Sequence, residues 1–262
     1  MILMKSYTCK KIKKPDIFLS REKIFKNQNN NLLFLLNKRF SWMKNFIKHK
    51  KIIIELGSGN GCLKKIINSD KIILTDIVKY QWIDKKLDMI KLNLNKNYIN
   101  KVDIFIINHS LHHSPNPSLT LAKMSKFLKK GGYILINEPE TSFFLKLIQY
   151  ILDDESWSLK DDVFKKKNLF KSNNPWFSNT AIAQLLFKNE KKFLRHFPEY
   201  EIKKNSLSEF FIFLNSSGLN TNFVHIKLNN FFLNCFDLID KLLILFFPNV
   251  FALNRSVVLK KK

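Results

Sequence analysis

Residues 52–62 read Ile-Ile-Ile-Glu-Leu-Gly-Ser-Gly-Asn-Gly-Cys, an apolar strand that closes on an acid and opens into alternating glycines. Gly57, Gly59 and Gly61 allow a tight turn and close backbone approach to a ligand. A helix starting just beyond them would aim free N–H groups at negative charge. Glu55 stands two residues before the first glycine, placed to meet a cation. Acid, loop amides around Ser58 and helix start together suit a small ligand carrying both an ammonium and a carboxylate. A dinucleotide fingerprint would place its third glycine at position 62, which is Cys62, so the spacing leans away from dinucleotides.

Other residues able to do chemistry follow in order. Ile72-Ile73-Leu74-Thr75-Asp76 is a second short apolar strand closing on a carboxylate, 19 residues after Gly57, where it can accept both hydroxyls of a ribose. Asn108-His109-Ser110-Leu111-His112-His113 holds three of the six histidines in the chain. An imidazole titrates near neutral pH, so His113 or His112 is a candidate base; the alternative is that these rings fix the loop by hydrogen bonds. Glu138 is a rival base, with capping of the turn at Pro139 as its other reading. His109-x-x-His112 has metal-pair spacing but no third ligand at a recognisable interval, so no metal is expected.

Positioning these residues requires alternating strands and helices. Residues 102–107 form a third apolar strand, residues 117–128 read as a helix, Lys129-Lys130-Gly131-Gly132 as its stop with glycine in the C′ region, and residues 133–139 as the next strand. That order implies a parallel sheet with right-handed crossovers, whose ligands meet beyond the carboxyl ends of the strands. Ahead of it, residues 32–49 have helical apolar spacing and are expected to pack beside the core and roof the ligand. The amide run 27–31 reads as a loop. Behind it, residues 143–152 and 181–187 read as helices, and 199–204 and 255–260 as late strands.

The succession resembles the class I S-adenosylmethionine (SAM)-dependent methyltransferases over about residues 50–140, and Leu111-His112-His113 resembles the type 11 members. The resemblance implies an α/β Rossmann-like class I methyltransferase sheet, mostly parallel with an antiparallel last strand, bearing helical N-terminal and C-terminal elaborations. It implies one domain over 1–262: a helical extension (1–50), a SAM-binding core (51–139), and an acceptor-binding cap with closing strands (140–262). It implies SAM as cofactor, with Glu55, Gly57, Ser58, Gly59 and Gly61 at its methionine part, Asp76 at the ribose, Asp88 and Met89 at the adenine, and Asn108 beside them. The family pattern Asp-Ala-x-x-Leu-Pro-Phe reads Asp88-Met89-Ile90-Lys91-Leu92-Asn93-Leu94 here, without the proline and with leucine for phenylalanine. Residues 173–182, 197–200 and 214–218 resemble segments of methyltransferases found with polysaccharide and cell-surface glycan enzymes. Trp157, Trp176 and Phe177 are candidates to stack on a sugar face or to form a satellite core.

Methyl transfer from a sulfonium is an in-line displacement that neutralises charge, and a base is needed only when the acceptor must lose a proton. The expected activity is SAM-dependent methylation of a small or lipid-linked acceptor, foremost a saccharide hydroxyl. The alternatives are an RNA methyltransferase or a catalytically inactive SAM-binding partner subunit. Enzymes that methylate exocyclic base amines carry Asn-Pro-Pro-aromatic where this chain has Asn108-His109-Ser110, which argues against that target.

The formal charge of +24 over 262 residues suits an anionic membrane surface or RNA. Lysine enrichment spread end to end is equally the mark of compositional drift. Three cysteines without metal spacing fit a reducing compartment. No apolar run reaches the length of a spanning helix. Residues 242–253, interrupted by Pro248 and Asn249, read as a core helix and turn, with a membrane-seated hairpin as the alternative. The expected location is the cytoplasm, with peripheral contact at the inner membrane as one use of the charge.

Overall fold

The computed structural model describes residues 4–12, 14–26, 29–165, 167–170, 174–218 and 224–262. Its centre is a seven-stranded sheet: β1 (Ile53–Leu56), β2 (Ile72–Asp76), β3 (Lys85–Lys86), β4 (Val102–Asn108), β5 (Leu128–Pro139), β6 (Tyr200–Ser208) and β7 (Asn254–Lys261). The spatial order is β3-β2-β1-β4-β5-β7-β6. The first five strands are parallel, and β7 runs antiparallel to both β5 and β6.

Strands buried on both faces read as continuous apolar runs, and here alternate side chains divide between two cores. Ile53, Ile72, Leu74, Ile104, Ile106, Leu135 and Val258 meet helices Ile17–Phe25, Asn30–Phe40 and Cys62–Ile67 on one side. Ile54, Leu56, Phe105, Ile107, Ile134, Ile136 and Val257 meet helices Pro117–Phe127, Ile182–Phe187 and Glu190–His196 on the other. After β3 the chain crosses back to β4 on the other side of β1, which opens a crevice at the carboxyl ends of β1 and β4.

Several elements differ from expectation. Helix Pro117–Phe127 stops at Leu128 in extended conformation, and β5 begins there and runs through Gly131 and Gly132. Glycine suits both places: Gly131 takes φ 73°, and a Cβ at Gly132 would lie 3.0 Å from the Asp103 carbonyl on the neighbouring strand. The apolar spacing over 32–49 breaks into helix Asn30–Phe40, a 3₁₀ turn Ser41–Met43 and helix Lys44–Ile47. Asn29 caps the first of these through the amides of Asn31 and Leu32, so the amide run serves there as a helix start; Asn27 and Gln28 lie outside the described residues. Helix Ile17–Phe25 was not expected, and helix Asn230–Phe246 begins twelve residues before the helix and turn expected at 242–253.

Candidate cofactor and catalytic site

The glycine turn follows β1 directly. Gly57, Gly59 and Gly61 all have φ between 48° and 71°, where side chains are strained. A Cβ on Gly57 would lie 2.5 Å from the Cβ of Ser110, so the turn and the histidine loop approach as closely as glycine permits. Ser58 ties the turn to β2: its amide donates to the Thr75 carbonyl (2.9 Å) and its hydroxyl accepts from the Thr75 amide (3.1 Å). Asn60 accepts from the Cys62 amide at 3.0 Å and starts helix Cys62–Ile67.

The cover over this turn is helix Ile17–Phe25, which corrects the expectation that residues 32–49 roof the site. Arg21 Nη1 donates to the Asn60 carbonyl at 2.6 Å, and its guanidinium lies 4.0 Å from the Phe25 ring and 4.4 Å from Trp82. Trp82 Nε1 donates to the Gly59 carbonyl at 2.8 Å. Helix Asn30–Phe40 instead contributes to the core behind, through Leu32, Leu36 and Phe40.

Glu55 is buried, and Asn108 Nδ2 donates to its Oε1 at 2.9 Å. Its Oε2 and Asn108 Oδ1 find no hydrogen-bond partner among the described residues. Two buried acceptors from adjacent strands thus stand without a donor, which is costly unless a ligand supplies one. Burial pushes the Glu55 carboxyl up to about 7, although the hydrogen bond from Asn108 opposes this. A ligand ammonium brings both the N–H groups and the charge that this pair lacks.

Asp76 Oδ2 accepts from the Gly59 amide (2.9 Å) and Oδ1 from the Val78 amide (3.0 Å). Burial raises its carboxyl above the ordinary range. Each oxygen keeps a second lone pair for a diol hydroxyl. Asp88 Oδ1 accepts from Ile90 (2.7 Å) and Lys91 (3.2 Å), turning the chain so that Met89 Cε sits 3.6 Å from where a Gly57 Cβ would be. Glu55, Gly57, Ser58, Gly59, Gly61, Asp76, Met89 and Asn108 are therefore drawn around one turn, with Asp88 shaping its edge.

Beyond Asn108 the histidine loop is organised by Glu138, at the end of β5. Glu138 Oε1 accepts from the amides of Ser110 and Leu111, each at 2.7 Å. Oε2 accepts from the His112 amide (3.3 Å) and pairs with His112 Nδ1 (2.5 Å). His112 Nε2 lies 3.1 Å from Glu155 Oε1. Burial works against charge on the His112 ring, but the two carboxylates outweigh it and push the imidazole up to about 10. Burial likewise opposes ionisation of Glu155, yet His112 holds its carboxyl down to about 2. His112 is thus an imidazolium with both nitrogens engaged. With both its nitrogens and both Glu138 oxygens so engaged, neither group is as well placed as His113 to receive a proton. The turn Glu138 caps is 110–112, not the one at Pro139.

His113 is different. Its Nδ1 donates to the Phe177 carbonyl at 3.0 Å, so the proton is on Nδ1. Burial, then the His112 charge, hold the ring down to about 4. The neutral ring presents Nε2 as an acceptor, the tautomer a base needs. His109, by contrast, has φ 47° and a buried Nε2 without a partner among the described residues, and burial holds it well below its usual range.

One candidate ligand set was missed in the sequence. His112, His113 and Glu155 bring three ligand atoms within 4.8 Å of one another. Glu155 lies 42 residues beyond His113 with no motif around it, so no spacing could announce it. Trp157, offered as a sugar platform, is buried and stacked on Tyr7 with ring centroids 4.7 Å apart, a satellite core in place of an open face.

Residues 83–192 match a family model described as a methyltransferase domain. Among solved structures, the chain is similar to a SAM-dependent methyltransferase from Archaeoglobus fulgidus, with 16% identity, TM-score 0.53, and coverage of 94% of this chain and 100% of that one. The methyltransferase in complex with the Haloferax volcanii Trm112 methyltransferase activator is similar at 9% identity and TM-score 0.49, covering 94% and 95% of the two chains. The trans-methyltransferase CalH, in complex with SAH, gives 11% identity and TM-score 0.47, covering 93% and 62%. Comparison with curated protein sequences gives no match. The strand order and the likeness to the Archaeoglobus fulgidus structure give the chain the fold of class I methyltransferases, residues 83–192 within it match a methyltransferase domain, and SAM is the expected cofactor.

Proposed function

We propose that the chain methylates a hydroxyl of a small or lipid-linked saccharide in cell-surface glycan biosynthesis, with His113 as general base. The observation that carries this is the seating of residues 174–182 on the histidine loop. Phe177 receives the His113 proton in its hydrogen bond, and the Asn179 amide donates to the His112 carbonyl at 2.8 Å. This is the segment whose sequence resembles glycan-associated methyltransferases, and it fixes the tautomer of the one histidine with a usable lone pair.

Glu55 and Asn108 would hold the ammonium of SAM, the glycine turn its carboxylate, Asp76 the ribose, and Asp88 with Met89 the adenine edge. SAM supplies an electrophilic methyl group on a sulfonium. The protein aligns the acceptor, excludes water and takes a proton at His113 Nε2. A hydroxyl becomes strongly acidic once its oxygen begins to bond to carbon, so a ring held near 4 is basic enough for late proton removal. The charged His112 beside it cannot compete for that proton and keeps His113 neutral.

His113→Ala should lower turnover by about 10²-fold and leave SAM affinity unchanged. Near-native turnover would remove His113 as base. The acceptor is tested by following methyl label from SAM into the lipid-extractable glycan fraction or into RNA of cells carrying the gene. Label in RNA that disappears with Asp76→Ala would replace the saccharide reading, and SAM binding without label in any fraction would favour an inactive partner subunit.

A further inference from the structure

Helix Asn230–Phe246 stands on the outside of the molecule. Its inner side is anchored by Leu233 and Ile244, and by Asp240, which accepts from the amides of Phe210, Phe211 and Ile212 at 2.8, 2.8 and 3.2 Å. Its outer side is the anomaly. Phe231, Leu238, Leu242 and Leu245, at successive separations of seven, four and three residues, form one stripe along about 21 Å of helix. Phe231 and Phe246 are each 70% exposed and Leu245 71%, and the stripe continues onto Phe247. These residues were expected in part as core; the structure turns them to solvent. Between helices Phe143–Leu152 and Phe211–Leu214 lies an apolar pocket of about 160 Å³, lined by Ile148, Ile151, Leu152, Phe213 and Leu214.

The charges around this ridge have one sign to offer. Of the two acids on the helix, Asp240 is buried and Asp237 is held by Lys38 (2.7 Å) and Lys241 (2.8 Å). Exposed Lys227 precedes the helix, exposed Lys241 lies along it, and exposed Lys188 reaches Asn249 just past its end at 3.1 Å. A second copy of a chain with formal charge +24 would bring like charges together over such a ridge. RNA would answer the lysines and leave the phenylalanines and leucines in water.

We propose that this face is a seat on an anionic lipid bilayer. The helix lies in the interface plane with its apolar stripe among the acyl chains and its lysines at the phosphates. No described helix is long and apolar enough to cross a membrane, and lying on one does not require it. The seat stands on the helix face and is independent of which acceptor is methylated.

The test uses the whole chain and vesicles of phosphatidylcholine with or without phosphatidylglycerol. Binding should be strong to the anionic vesicles and weak to the neutral ones. The exposed-face variant Leu238→Glu/Leu242→Glu/Leu245→Glu should reduce it by about 100-fold while SAM binding persists. Cys235 is exposed on this helix, whereas Cys9 is buried and burial pushes the Cys62 thiol up to about 12, so a maleimide dye will mark Cys235. Dye emission should shift to the blue on anionic vesicles, a readout that does not depend on a variant folding. Vesicle binding without a dye shift, vesicle binding untouched by the triple variant, or a dimer that the triple variant dissolves in the absence of vesicle binding would each overturn the proposal.

Discussion

Glu55 and Glu138 occupy equivalent stations. Each is a buried carboxylate at the carboxyl end of a parallel strand, with β4 between them. Glu138 receives three backbone amides and an imidazolium. Glu55 receives one side-chain amide, keeps an oxygen idle, and is pushed up to about 7. One acid is completed by the fold and the other is left for something to complete. The difference separates an acid that builds the site from an acid that uses it, and residue type alone does not reveal it.

Breaking the completed acid should have the larger effect. Glu138→Gln or His112→Ala leaves a buried charge unpaired and should cost about 3–5 kcal/mol in denaturant unfolding, with activity lost as well. The wild-type pair has a matching pH signature. His112 is raised in the fold from 6.5 to about 10, so its contribution is complete below pH 6.5 and fades as pH rises through about 10. A Glu138→Gln protein of native stability would erase the contrast.

Glu55→Gln should do the reverse. SAM affinity should fall by about 10- to 100-fold through loss of a charged hydrogen bond, measured by calorimetry. Unfolding without SAM should be unaffected or shifted upward at pH 8. The folded carboxyl is raised above its unfolded value, so ionising it destabilises the fold as pH rises from 4.5 through about 7, and the amide avoids that cost. Asp76→Ala should weaken SAM by about 10-fold or more, but part of that loss is the unpinning of the Gly59 and Val78 amides.

The smallest effect sharpens the comparison most. SAM binding should strengthen as pH rises and level off above about 7, by up to about tenfold per unit, because the ammonium needs Glu55 ionised. Calorimetry near pH 6.5 in buffers of different ionisation enthalpy should show proton release on binding. Affinity that does not change between pH 5.5 and 8 would assign the idle oxygen another purpose.

The parallel core was legible because strands covered on both faces are apolar throughout and end on acids and glycines, as at 53–56 and 72–76. β7 and β6 were also expected, near 255–260 and 199–204, and the structure extends both. Legibility failed where partners are distant. Nothing near Glu155 or Glu209 marks them, yet Glu155 meets His112, and Glu209 receives Arg39 Nη2 at 2.6 Å. Helix Ile17–Phe25 was hidden because three of its nine residues are charged and its purpose, covering the glycine turn, is tertiary. The part of helix Asn230–Phe246 before residue 242 was hidden because it is apolar on the side facing water, against the pattern by which helices are read.

The hydrogen bond from Trp82 to the Gly59 carbonyl has an optical consequence. The indole lies parallel to Tyr80, at 6° and 5.2 Å between centroids, with Arg21 over it, and its N–H is tied to the very peptide a ligand would displace or tighten. Emission from an indole responds to the field at its nitrogen. Of the four tryptophans, 42, 82, 157 and 176, the second is wired to the glycine turn. The turn therefore carries its own fluorophore, and occupancy of the site can be read by light from the unlabelled protein.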